Sequence, residues 1–162
     1  MRDPRETLEE LTIILDELRD RPQNQVIIVE GQKDRAAMTV LGISGDVWQV
    51  HGPNTVFNLA ERLAMENKEA IILTDWDRKG GQLARLLRSA LVANGIAFDD
   101  THRRRIVKLV KKEIKDIESL PAFFTRLISL TQNSDLIRHA DIVREKRAVR
   151  EGQPNDPDRP VT

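Results

Sequence analysis

Val26-Ile27-Ile28-Val29-Glu30-Gly31 is the stretch on which the reading of the fold turns. A short unbroken apolar run rich in β-branched residues marks a strand covered on both faces, and such strands belong to parallel sheets enclosed by helices. The run ends in an acid and a glycine. A second run of the same kind, Ala70 to Thr74, ends in Asp75, with Asp77 two residues further on.

Outward from these runs, helical and extended patterns alternate. Leu8, Leu11, Ile14, Leu15 and Leu18 recur at three- and four-residue steps and predict an amphipathic helix over Pro4 to Leu18, closed by Pro22. A helix from Asp34 to about Leu41 follows the first strand. Val47 to Val50 is a weaker strand, closed by His51-Gly52-Pro53, and Asn54 is the expected N-cap of a helix bearing Val56, Leu59, Ala60, Leu63 and Ala64. Asp75 to Gly81 reads as a polar turn ahead of a helix over Gln82 to Ala93, which stops at Asn94-Gly95. Arg104 to Val110 reads as another strand and Ile117 to Leu130 as another helix.

Repeated strand-helix alternation implies right-handed crossovers and an α/β fold, a mainly parallel sheet between helix layers in the Rossmann-like manner. The expected organisation is an N-terminal amphipathic helix over residues 1–21, a main domain over 22–130, a C-terminal helical extension over 131–150 and a disordered tail over 151–162. Pro154, Pro157 and Pro160 crowd that tail, which has little to bury.

Composition narrows the chemistry. The 162 residues carry 26 basic and 26 acidic side chains and neither cysteine nor tyrosine. Disulfides, thiolate zinc sites, thiol nucleophiles and a tyrosyl phosphoenzyme are thereby excluded for this chain alone. No apolar run approaches the roughly 20 residues that cross a bilayer, so a cytoplasmic protein without membrane contact is expected. The neutral total hides a strong asymmetry: Met1 to Asp20 holds three basic residues against seven acidic, whereas Asp99 to Lys115 holds seven basic against three acidic.

Ligands of open parallel sheets gather beyond the C-terminal ends of the strands. If the two apolar strands are neighbours, Glu30, Asp75 and Asp77 converge on one rim, where their mutual repulsion calls for protons or a cation. Hard carboxylate oxygens without thiolate favour Mg²⁺, with Mn²⁺ as the alternative. Each acid also has a plain structural reading, Glu30 as a polar strand end and Asp75 and Asp77 as turn formers and a helix cap. Around them, Gly31 and Lys33 on one loop and Arg78, Lys79 and Gly80 on the other suit a phosphate. Asp34 reads mainly as a helix cap. His51 occupies a third strand-end loop, either as a substrate contact or as an ordinary loop residue.

Val26 to Gly31 with Lys33 and Asp34, then Ile71-Ile72-Leu73-Thr74-Asp75-Trp76-Asp77-Arg78 with Gly80, resembles the Toprim domain over roughly Gln25 to Phe124. That domain is shared by topoisomerases, bacterial-type primases, OLD-family nucleases, recombination-repair proteins and the ribonuclease that matures 5S ribosomal RNA. The resemblance implies a Toprim fold, with Glu30 as general acid or base and Asp75 and Asp77 holding Mg²⁺ during phosphoryl transfer or phosphodiester cleavage. Gly81 stands where topoisomerases of that family carry a further acid, and the tyrosine they need is absent. Primases surround the domain with a zinc module for which this chain has no cysteines. The proportions are most similar to small stand-alone prokaryotic Toprim proteins near the 5S-RNA maturase group.

The expected activity is therefore Mg²⁺-dependent phosphodiester hydrolysis, with RNA favoured over DNA as the partner. A non-catalytic nucleic-acid or ribonucleoprotein module and a primase-like nucleotidyl transferase are the alternatives, and a partner protein or a second copy of the chain could supply further gripping surface. Arg103, Arg104, Arg105, Lys108, Lys111, Lys112 and Lys115 are either a track of phosphate contacts or a solvated edge strand, two readings of equal weight. Of the aromatics, Phe57, Phe98, Phe123 and Phe124 are expected in packing and Trp48 in a strand. Trp76, between the aspartates, either meets a base or ribose or packs beneath its loop.

Overall fold

In the computed structural model, which describes residues 3–132, the two apolar runs are neighbours. Strand β1, Gln25–Val29, pairs in parallel with β3, Glu69–Ile72, in the register Val26 to Ala70 and Ile28 to Ile72. On the other side of β1 lies β2, Val47–Gln49, and beyond β3 lies β4, Phe98–Asp99, giving an all-parallel sheet in the order β2-β1-β3-β4. The fold is α/β with a Rossmann-like layout. From β1 the chain steps one way to β2 and then crosses back to β3, so the order reverses between β1 and β3, the place where open parallel sheets bind ligands.

Because side chains alternate along a strand, the sheet supports two cores. Ile27, Val29, Ile71 and Leu73 face helices α1 (Pro4–Arg19), α2 (Gln32–Val40), α5 (Thr101–Val110) and α6 (residues 120–132), where Leu11, Leu15, Met38, Ile106 and Phe123 are buried. Val26, Ile28, Ala70 and Ile72 face α3, Val56–Met65, and α4, Arg78–Ala93, where Leu63, Leu87 and Leu91 are buried. The reversal of chain direction puts α2 on one face and α3 and α4 on the other, as right-handed crossovers require.

Several boundaries differ from the sequence reading. The segment Arg104 to Val110 is helical: its buried pair, Ile106 and Val110, lies four residues apart, a helical rather than a strand repeat. The strand before it is only two residues long, and the Asp99 carboxylate accepts the Thr101 amide at 2.7 Å to start α5. Helix α4 begins at Arg78 instead of Gln82, so most of the expected polar turn is its first turn. Asn54 does not cap α3. It lies within a 3-10 turn, Pro53–Thr55, and Thr55 occupies the N-cap. The helix expected from Ile117 starts at residue 120, after a turn in which the Asp116 carboxylate accepts the Ser119 amide at 2.9 Å. Phe57, expected in packing, is half-exposed. The expected extension over 131–150, beyond its first two residues, and the tail over 151–162 lie outside the described residues. No helix among the described residues is long and apolar enough to cross a membrane.

Candidate functional site

Glu30 leaves the end of β1 and reaches across the switch point, where its Oε2 accepts the Asp75 amide at 2.9 Å. Asp75 follows β3 by three residues, and its Oδ1 accepts the Ile117 amide at 2.9 Å, drawing the segment between α5 and α6 over the rim. Asp77 is the N-cap of α4, with Oδ1 accepting the Gly80 amide at 2.6 Å. Glu30 and Asp75 therefore meet across two strand ends, while Asp77 performs the capping role that was its alternative reading.

The loop between β3 and α4 is built with little slack. The buried Thr74 hydroxyl donates to the Gly80 carbonyl at 2.9 Å. A Cβ on Gly80 would stand 2.0 Å from the Asp75 carbonyl oxygen, so only glycine permits this approach. From α5, Arg103 donates Nε to the Thr74 carbonyl at 2.8 Å and Nη2 to the Asp75 carbonyl at 2.7 Å. The Trp76 indole donates to the Ile114 carbonyl at 2.9 Å and packs against the α1/α5 core, so it lies beneath the loop instead of facing a ligand.

Electrostatics follow from this crowding. Burial raises the Glu30 carboxyl from its ordinary 4.5 to about 7. The neighbouring Asp75 carboxyl, through a hydrogen bond to the protonated form and through its charge, pushes the same way, as does the charge of Asp77. Asp34, 7 % exposed, accepts the Gly31 amide at 3.1 Å and is pushed up to about 6 by burial and then by the charge of Asp75.

No family model matches this chain. It is 40% identical over 126 residues to a UPF0292 protein of Methanosarcina acetivorans, spanning 78% of this chain and 85% of that one. A UPF0292 protein of Thermococcus sibiricus is 36% identical over 127 residues, spanning 77% of this chain and 96% of its own. The chain belongs to the UPF0292 family. A solved structure of a protein from Aquifex aeolicus is also similar, with a TM-score of 0.58 and 26% identity over 67% of this chain and 96% of that one.

Within this UPF0292 protein the remaining candidates divide. Arg78 and Lys79 are exposed on the first turn of α4, beside Asp77. Lys33, at the start of α2, is exposed and stands 3.8 Å from Glu118. The amides of Gly31 and Gly80 are given to Asp34 and Asp77, so neither glycine offers its N–H to a phosphate. His51 follows β2 and lines a separate cavity whose walls include none of the three acids. Sequence reasoning missed Arg103 as the brace of the acidic loop. Only the tertiary placement of α5 brings it to carbonyls 28 and 29 residues away. The other arginines of its run turn elsewhere, Arg104 to Asp100 and Arg105 to Glu17.

Proposed function

We propose that this UPF0292 protein is a Toprim-like, Mg²⁺-dependent phosphodiesterase acting on structured RNA. The observation that carries the reading is geometric: the Glu30 carboxylate accepts the Asp75 amide at 2.9 Å, which brings acids from two strand ends together at the switch point of a parallel sheet. Among the described residues no group of three or more His, Asp or Glu side chains is drawn together tightly enough to hold a metal ion unaided. The donor chemistry nevertheless fits Mg²⁺, which is commonly held by one or two carboxylates and completes its shell with water and substrate phosphate. Asp75 and Asp77, whose Oδ1 atoms accept the Ile117 and Gly80 amides, would hold the ion, with Glu30 beside Asp75. When bound, Mg²⁺ supplies an activated water and neutralises charge on the phosphate.

Glu30, whose carboxyl is pushed up by burial and acidic neighbours, is suited to take a proton from an attacking water or give one to the leaving oxygen. Lys33, Arg78 and Lys79 orient the phosphate by charge. Arg103 holds the Asp75 backbone, and hence the acidic pair, in position.

The test is incubation with Mg²⁺ and end-labelled structured RNA and duplex DNA, beside Glu30→Gln and Asp75→Asn. Mg²⁺-dependent RNA cleavage that falls by about a hundredfold or more in either variant is the expected result. RNA bound but uncut by every form would make the chain a binding module, and nucleotide incorporation on a single-stranded template would make it a primase-like transferase.

A further inference from the structure

On the β2 side of the molecule lies a cavity of about 600 Å³ whose lining includes none of the three acids of the rim. Its floor is Trp48 of β2. The Arg62 guanidinium, from α3, lies 3.9 Å from the centre of the Trp48 ring, a face-on cation–π stack. The Arg62 Nε also donates to Glu66 at 2.9 Å, so the guanidinium plane is fixed by a ring on one side and a carboxylate at its edge. With 62% of its side chain exposed, the outer face of that plane is open.

Beside the stack runs the free edge of the sheet. The Asp46 carbonyl accepts from Ile27 and the Val50 amide donates to Val29, so both face β1. By the alternation of a strand, Trp48 turns its main chain to β1 as well, while Val47 and Gln49 turn theirs outward. β2 ends the sheet, and no strand among the described residues pairs with those outward groups. They line the cavity, as do Arg35, which has no ion pair among the described residues, and His51.

A flat cationic stack, a row of main-chain donors and acceptors that no strand among the described residues pairs, and the Arg35 guanidinium beside the His51 imidazole answer to three parts of one ligand. The parts are an aromatic plane, an edge of hydrogen-bonding groups and an anion. We propose that this cavity is a nucleotide site, with the base stacked on the Arg62–Trp48 pair, its edge read by Val47 and Gln49, and its phosphate held by Arg35 and His51. The site is distinct from the acidic rim and stands whether or not that rim cleaves RNA. The same chemistry arises in a free nucleotide and in a nucleotide within a single strand.

Trp76→Phe leaves Trp48 as the sole indole, since the chain has two tryptophans. Its fluorescence is titrated in EDTA with the four nucleoside 5′-monophosphates, with ribose 5-phosphate and with a short single-stranded RNA. Saturable quenching by nucleotides is expected, with affinity at least about fivefold weaker in Arg62→Ala and Arg35→Ala and in ribose 5-phosphate. Quenching by mononucleotides assigns the site to free nucleotides, and quenching by the oligomer alone assigns it to a strand. The proposal is overturned if neither saturates, if ribose 5-phosphate binds as well as the nucleotides, or if Arg62→Ala binds unchanged. Should Trp76→Phe not fold, calorimetry on the unaltered chain against Arg62→Ala makes the same decision. Because metal is withheld, failure here and failure of the cleavage assay are separate outcomes.

Discussion

Two glycines adjacent in sequence answer to opposite demands. At Gly80 a methyl group would collide with the Asp75 carbonyl at 2.0 Å, whereas at Gly81 it would meet nothing within 4 Å. Gly80→Ala should therefore destabilise the fold by about 1 to 3 kcal/mol through forced displacement of the acidic loop. Gly81→Ala, within α4, should stabilise it by about 0.5 to 1 kcal/mol. Urea unfolding of the two variants checks both signs, and a neutral Gly80→Ala would mean that the loop is free to shift. Glu30 makes a second prediction at this scale. Its folded pKa, raised from 4.5 to about 7, means the folded state holds the proton more tightly than the unfolded chain. Stability from this group is complete below about pH 4.5 and is lost as pH rises through about 7. Asp34, raised from 3.8 to about 6, acts in the same direction, so the measurement is the difference between the wild-type chain and Glu30→Gln across that window. The wild type should decline relative to the variant by on the order of 1 kcal/mol, after allowance for solvent screening, and a flat difference would contradict the shift. The carboxylates themselves were legible in sequence, because each follows an apolar run whose end is visible. The cap that Asp77 makes on the Gly80 amide was one of the sequence readings, but the Asp75 bond to the distant Ile117 amide was not, since a main-chain amide leaves no trace in residue identity.

At the scale of elements, α5 is where sequence and structure part. Arg104 to Val110 offers two buried apolar residues, Ile106 and Val110, with Val107, Lys108 and Leu109 between them, too few positions to separate a period of two from one near four. The short Asp99-Asp100-Thr101 start was the sign of a helix, as Asp99 accepts both the amide and the hydroxyl of Thr101. The helical course matters because it turns Arg103 inward to the Thr74 and Asp75 carbonyls. Arg103→Ala should cost about 2 to 3 kcal/mol in thermal or urea unfolding, as expected for losing hydrogen bonds from a charged donor to half-buried carbonyls. Arg103→Lys should recover only part of this, because an ammonium cannot reproduce the fork that spans both oxygens. If Lys restores stability fully, charge alone and not geometry braces the loop. By contrast β1 and β3 were readable outright, since continuous burial on both faces writes itself into four consecutive apolar residues.

For the whole molecule, the opposed charges of the acidic first helix and the basic run of α5 become a contact. Helices α1 and α5 share one face of the sheet, and Glu17 pairs with Arg105 and approaches His102 at 3.4 Å. The basic run is thus partly neutralised from within, which neither of the two readings of that run had foreseen. Glu17→Ala should free Arg105, tighten metal-free binding of single-stranded RNA and steepen its logarithmic salt dependence by about 0.7. Fluorescence anisotropy over a KCl series measures it, and an unchanged slope would place Arg105 away from the nucleic acid. The margins of the sheet carry one more consequence. β2 has three residues and β4 two, so a second molecule laid against either border could form only a couple of ladder bonds. Edges this short give the described residues little to template strand-by-strand growth into filaments.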